Sequence, residues 1–248
     1  FCICMCWKLA AQGPPITLTA PGTLGLQGKA LRTFGTFVKA ENRKAYTQVL
    51  AMPYNISTRL QLGAILSYSF LNPTDLESVN GFGDATLFAK YQFYQLDGIG
   101  KTLRLSGIIR QTFPTGKAST IPSIGRGIYQ TYIGFIAGDI SIKRGWYTNI
   151  GFNLTGGGMP DNFLYNFSYG LPVLPHQYPL KQLNLFLEWN GNLVTNSEVH
   201  SIFLSPGLQF IAGNNFLLES SFQIPLLQRG AEGNKTKYQL LIGTRILL

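Results

Sequence analysis

From Gly28 to Leu248 the chain alternates apolar and polar residues with a period of two, and the alternation stops and restarts many times. Leu103, Leu105, Gly107 and Ile109 interleave with Arg104, Ser106, Ile108 and Arg110. Tyr238, Leu240, Ile242, Thr244, Ile246 and Leu248 interleave with Gln239, Leu241, Gly243, Arg245 and Leu247. Successive strand side chains point to opposite faces, so each stretch has one apolar face and one mostly polar face. A soluble β-sandwich hides its apolar faces in a core. A transmembrane barrel turns them toward lipid and keeps the polar faces around a lumen.

About twelve stretches have this character, near 29–39, 44–53, 57–70, 84–94, 101–113, 127–139, 144–155, 162–171, 181–193, 199–211, 215–226 and 236–248. Each is close to the roughly 9–11 residues that a tilted membrane strand needs. Gly, Asn, Asp, Ser and Pro fill the gaps between them. Short gaps (54–57, 96–100, 139–142, 213–214) alternate with longer ones (71–83, 114–126, 156–161, 227–235); the Pro-rich gap 172–180 falls on the short side. The rhythm is that of periplasmic turns and extracellular loops. An even strand count places both ends of the barrel on the periplasmic side.

Aromatic residues on the apolar faces collect at strand ends. Tyr68, Phe70, Tyr129, Phe163, Tyr165, Trp189 and Tyr238 fall near the long loops, and Tyr91, Phe93, Trp146, Phe210 and Phe216 near the short turns. Aromatics favour strands in general, which explains their number; two girdles at the membrane interfaces explain their placement.

Composition sharpens the choice. Charged residues make up 12% of the chain, about half of the roughly 25% usual in soluble domains. No apolar run is long enough for a helical span. The expected fold is therefore an all-β, antiparallel, up-and-down transmembrane β-barrel of about twelve strands over residues 28–248. Residues 1–27 are expected to be a truncated signal-like segment and a periplasmic lead-in. Cys2, Cys4 and Cys6 sit at its start, before the apolar Leu9-Ala10-Ala11. A soluble sandwich remains the bland alternative.

The polar face of such a barrel receives Arg59, Lys90, Arg104, Arg110, Glu188, Glu219 and Arg245, which form the expected lumen or solute pathway. Charges at these positions are costly in lipid and tolerable in water or in pairs. Pairing the last two strands about their loop brings Glu219 to Arg245. Lys90 and Arg104 lie on neighbouring strands and imply either a basic patch or a further partner across the lumen. Bulky Phe88, Tyr94, Tyr132, Ile136, Tyr147, Phe186 and Phe203 point inward beside Gly63, Gly134, Gly151, Gly170 and Gly207. They suit either a partly apolar groove or plain packing.

Twenty Lys and Arg oppose eleven Asp and Glu, a formal net charge of +9. The cations are scattered and lack a helix or aromatic platform, which argues against nucleic acid. Loop cations facing outer-membrane lipid and lipopolysaccharide account for them better.

Motifs that imitate catalytic sites fail on spacing. Gly98-Ile99-Gly100-Lys101-Thr102 resembles the end of a phosphate-binding loop, but Gln95 stands where the first Gly is required. His200 and Ser201 are neighbours, so in a strand they face opposite sides and cannot share a proton. The other histidine, His176, is distant in sequence, and no carboxylate cluster accompanies either. The expectation is no enzyme, no metal and no cofactor.

Three motifs carry a family resemblance: Met52-Pro53-Tyr54-Asn55-Ile56-Ser57 running on to Gly63; Gly81-Phe82-Gly83-Asp84 entering a strand that ends Lys90-Tyr91-Gln92-Phe93; and Ser205-Pro206-Gly207-Leu208-Gln209 followed by Leu218-Glu219-Ser220-Ser221. In this order they resemble the outer-membrane barrel family named for the meta-pathway of phenol degradation. The resemblance implies a bacterial outer-membrane transporter taking up small aromatic or other hydrophobic compounds, with no catalytic residues. The chain departs from common outer-membrane patterns in its basic balance and in Leu248 at its end.

Two functional expectations follow. One is a passive channel for small hydrophobic, aromatic or anionic solutes. The other is a closed structural or surface barrel that binds anionic lipid or a partner through basic loops.

Overall fold

The computed structural model describes residues 13–174, 181–230 and 234–248. The cysteines, the start of the signal-like segment and His176 lie outside the described residues. Thirteen strands form: β1 (Ala30–Ala40), β2 (Arg43–Asn55), β3 (Leu60–Pro73), β4 (Val79–Phe82), β5 (Ala85–Gly98), β6 (Lys101–Phe113), β7 (Gln130–Ser141), β8 (Gly145–Thr155), β9 (Asn162–Pro172), β10 (Lys181–Val194), β11 (His200–Ala212), β12 (Phe216–Arg229) and β13 (Thr236–Leu247). All pair antiparallel with sequence neighbours, and β1 also pairs with β13 from Ala30↔Leu247 through Lys39↔Tyr238. The sheet therefore closes on itself, and only the four-residue β4 lacks a strand partner on its far side. β4 and β5 are two halves of one wall strand, interrupted at Gly83-Asp84, and both pair with β3. The result is the twelve-stranded antiparallel barrel that the alternation implies.

The break at Gly83-Asp84 has a local cause. Asp84 turns its carboxylate away from the ladder and accepts the backbone N–H of Gly116 (2.8 Å) and of Arg126 (2.7 Å). Both donors belong to the long β6–β7 loop, which is thereby pinned over the wall. A Cβ on Gly116 or Gly125 would lie 2.8 Å from Asp84 Oδ1, so the loop approaches this closely only with glycine at both positions.

At the other end the hairpins are tight. β5 and β6 are joined by Ile99 and Gly100 alone, with Gly100 at φ +69°, the left-handed region that glycine enters without strain. The phosphate-loop look-alike is this turn. Gly213, at φ +78°, serves the β11–β12 turn in the same way.

Leu62, Leu66, Leu87, Ile109, Ile133, Ile150, Leu185, Leu208 and Ile242 are exposed on the outer wall. No interior exists on that side to take them, so they form the lipid-facing belt. The outward aromatics touch in chains: Phe37–Tyr46 (4.5 Å between ring centroids), Tyr46–Phe70 (6.2 Å), Tyr68–Phe82 (5.0 Å) and Trp146–Tyr169 (4.2 Å). One inward expectation fails. The register of β5 on β6 slips between Gln92 and Tyr94, and this bulge turns Tyr94 outward, 43% exposed.

Candidate functional site

The polar inner faces enclose buried Gln61, Lys90, Gln92, Ser106, Asn149, Ser168, Gln182, Asn184, Glu188, Gln209 and Glu219. Fully buried polar groups need partners. Much of that need is met by the chain itself, because residues 13–22 run inside the barrel. The segment expected as a periplasmic lead-in is, from Gly13 onward, the filling of the lumen.

Its path can be followed contact by contact. Tyr147 Oη donates to Gly13 O (3.2 Å), and Gln209 Nε2 donates to Pro14 O (2.7 Å). Both side chains stand near the short-turn ends of their strands. Arg245 donates to Pro15 O (2.6 Å), and Arg32 donates to Ile16 O. The Glu188 carboxylate accepts the N–H groups of Ile16 (2.9 Å) and Thr17 (2.8 Å), the Thr17 hydroxyl (2.5 Å) and the Ser168 hydroxyl (3.0 Å). Thr17 reaches Asn190, farther toward the long loops. The Asn149 amide brackets the Thr19 backbone, accepting its N–H at 2.8 Å and donating to its O at 3.2 Å. Descending the opposite wall, Arg110 donates to Thr19 Oγ1 (2.7 Å), Lys90 Nζ to Ala20 O (2.9 Å) and Gly22 O (2.6 Å), and Ser106 to Pro21 O (2.5 Å). The segment is an arch that rises from the periplasmic end and returns to it.

Apolar contacts support the arch. Ile16 and Leu18 are buried with Tyr147, Phe186 and Leu241, and Phe34 and Ile140 pack around them. Gly207 supplies the space: a Cβ there would lie 2.5 Å from Ile16 Cδ1. Gly138 does the same for Pro21, whose Cγ would lie 2.7 Å away.

Six of the seven expected site residues line this interior. Glu219 pairs with Arg245 (2.8 Å), as the last hairpin requires, and equally with Arg32 (2.7 Å). Arg32 and Arg245 are directly opposite each other where β1 meets β13. Arg32 escaped the sequence reading because β1 alternates weakly; its inward parity with Ala30 and Phe34 was the available signal. Lys90 lies across from Ile108, which places Arg110 two residues to one side and Arg104 four to the other. The further partner expected for this group is the set of carbonyls between Ala20 and Gly22. Arg104 flanks Gly22, where a Cβ would come within 2.9 Å of its Nη1. Arg59 is placed elsewhere: it is exposed in the turn between β2 and β3 and does not face the lumen.

The charges are segregated. Both carboxylates, with Arg32 and Arg245, belong to the half built from β1, β10, β12 and β13. Lys90, Arg104 and Arg110 stand on β5 and β6 and form no ion pair among the described residues. Beside them lies a second apolar cluster of Ile108, Tyr132 and Ile136, flanked by Phe88 and Leu164. The Arg110 guanidinium sits 4.8 Å from the centre of the Tyr132 ring. The lumen thus sets cations next to buried apolar side chains.

The three sequence motifs also gain a physical meaning. Asn55 donates to Gly25 O (2.7 Å) and accepts from Gln61 (2.8 Å), which anchors the residues leading into β1. Lys90, Gly207 and Gln209 touch the arch directly, and Glu219 orients the two arginines that hold its carbonyls. Four motif positions on three strands thus converge on one ten-residue segment.

Elsewhere among the described residues no reactive centre is assembled. His200 Nε2 lies 2.6 Å from Tyr165 Oη on the outer wall, and no group of three or more His, Cys, Asp and Glu side chains is gathered among the described residues. An apolar hollow of about 550 Å³ edged by Leu62, Ala64, Leu87, Ala89 and Ile109 opens on the outer wall, where acyl chains lie.

No family model matches the chain, and no curated protein matches it. Among solved structures, it is similar to the COG4313 outer membrane channel from Pseudomonas putida F1, with a TM-score of 0.73 and 12% identity, over 94% of this chain and 100% of that one. LpxR from Salmonella typhimurium superposes with a TM-score of 0.51 at 10% identity, over 88% of this chain and 99% of that one. The beta domain of the Bordetella autotransporter Brka gives 0.50 at 13% identity, over 88% and 98%. The resemblance to the phenol-degradation family is supported only at the level of architecture, and identities this low speak for the fold alone. That fold is the twelve-stranded barrel of the bacterial outer membrane.

Proposed function

We propose that the protein is a passive channel of the bacterial outer membrane for small anions that carry an apolar or aromatic body, such as aromatic carboxylates. The observation that carries this reading is the β5–β6 wall, where Lys90, Arg104 and Arg110 stand without a carboxylate partner beside Phe88 and Tyr132. A cluster of cations without carboxylate partners on one wall of a narrow lumen favours anions. The apolar cluster suits the aromatic and hydrophobic compounds that the motif resemblance implies. A barrel of twelve strands lies between the roughly eight that side chains fill and the roughly sixteen that leave a wide aqueous pore. Its bore is therefore set by what occupies it, here residues 13–22. Outer-membrane lipid and lipopolysaccharide are the surroundings, and the anion is the solute.

The test is reconstitution of the intact chain in planar bilayers under a salt gradient. A reversal potential of the sign given by anion permeation is expected, together with faster liposome swelling in benzoate than in benzylammonium. Cation preference would overturn the reading. The continuous hydrogen bonding of residues 13–22 favours a second reading, a sealed barrel with a structural or surface role. Silence from the intact chain, with conductance only after deletion of 13–22, would select that one.

A further inference from the structure

Five neighbouring wall strands, β11, β12, β13, β1 and β2, carry a basic arc at the long-loop end of the barrel. Lys39 and Lys44 are directly paired across β1 and β2. Both share the outward face of their strands with the next pair toward the membrane, Phe37 and Tyr46, whose rings pack 4.5 Å apart. On the other side Lys39 pairs with Tyr238, which belongs to the same belt. Arg229 pairs with His200, whose ring is held by Tyr165 on the outer wall. Exposed Lys235 and Lys237 lie between them.

Two features of this arc need an explanation. Like charges directly opposite on one face of a sheet destabilise it. Neither Lys39 nor Lys44 forms an ion pair among the described residues. Of the nearby carboxylates, Glu41 accepts the Lys235 backbone N–H (3.3 Å), Asp75 and Glu77 lie in the β3–β4 loop beyond the end of β2, Glu198 lies at the far edge of the arc, and Glu232 is outside the described residues. The height is equally specific. Lys39 and Lys44 sit one residue pair beyond the aromatic belt, on the lipid side of the wall rather than at the loop tips. The groups that meet a protein at that level are lipid headgroups.

We propose that this arc, centred on Lys39 and Lys44, is a binding site for the phosphates of lipid A, the membrane-anchored part of lipopolysaccharide. With an even strand count and both barrel ends at the short turns, the arc faces the outer leaflet. A phosphate between the two lysines converts a repulsive pair into charge-assisted hydrogen bonds. The phosphates of one lipid A are joined through its sugar backbone, and the arc spreads its cations over adjacent strands. The inference rests on the outer-membrane setting and not on transport, so a silent barrel leaves it standing.

The experiment titrates the full-length barrel in detergent with three probes: bisphosphorylated lipid A, lipid A with its phosphates removed, and phosphatidylglycerol. The variants are K39Q/K44Q and, outside the arc in the β6–β7 loop, K117Q/R126Q. Folding is checked by heat-dependent gel mobility and by an unchanged β-sheet circular dichroism spectrum. If the double variant does not fold, the exposed K44Q replaces it. At least a tenfold loss of lipid A affinity is expected for K39Q/K44Q, with none for K117Q/R126Q and weak binding of the other two probes. Equal loss in both variants, no loss in K39Q/K44Q, or equal affinity for phosphatidylglycerol would overturn the proposal.

Discussion

Glu188 and Thr17, 171 positions apart in sequence, meet in the centre of the barrel: one carboxylate oxygen accepts both the backbone N–H and the hydroxyl of Thr17. The second oxygen takes the N–H of Ile16. A buried carboxylate satisfied in this way acts as the clasp of the lumen segment. Replacing it with alanine strands the two backbone N–H groups of Ile16 and Thr17, at about 1–3 kcal/mol each, and removes the carboxylate partner of the Thr17 and Ser168 hydroxyls. E188A is expected to raise single-channel conductance or open-state noise by roughly tenfold or more. A trace indistinguishable from the parent would contradict the clasp role.

The β5–β6 cations set the sign of selectivity. In K90Q/R110Q the anion-to-cation permeability ratio is expected to fall several-fold, and the reversal potential to move toward zero. R59Q is the control. Its side chain is exposed in a turn, and its ratio is expected to stay at the parent value.

Glu219 serves two arginines at once. Removing one partner of a buried ion pair costs on the order of 3–5 kcal/mol. E219Q is therefore expected to lower the thermal midpoint of the refolded barrel and to increase anion preference, since the lumen gains a net positive charge. Stability should fall as anion preference rises in this variant, whereas K90Q/R110Q lowers anion preference.

Asp84 holds the β6–β7 loop through two backbone N–H groups. D84A is expected to speed trypsin cleavage after Lys117 and Arg126 by about tenfold, while heat-dependent gel mobility stays that of a folded barrel. Loss of the folded form would instead assign Asp84 to the wall itself.

Most of the wall was legible in the sequence, because lipid and lumen impose opposite polarities on alternate residues and the alternation survives along nearly every strand. Glu219 and Arg245 could be paired from parity and loop position alone. The alternation cannot register an inserted residue, so the bulge at Gln92 hid the outward turn of Tyr94. Nor does it apply to residues 13–22. Pro14, Pro15 and Pro21 exclude a regular ladder there, and the segment's partners are single side chains on strands far apart in sequence. Its signature was indirect: buried Lys90, Glu188 and Gln209 had too few partners among themselves. The break at Asp84 was visible as a motif, but its reason lies in a loop more than thirty residues away.

Arg32 and Arg245 stand face to face where the first strand meets the last, and both donate to the arch as well as to Glu219. The seam of the cylinder and the contents of the cylinder therefore share the same two guanidinium groups. Sealing the wall and threading the interior become one event in biogenesis: a chain that zips β1 to β13 with residues 13–22 left outside forfeits the carbonyls that its seam arginines need.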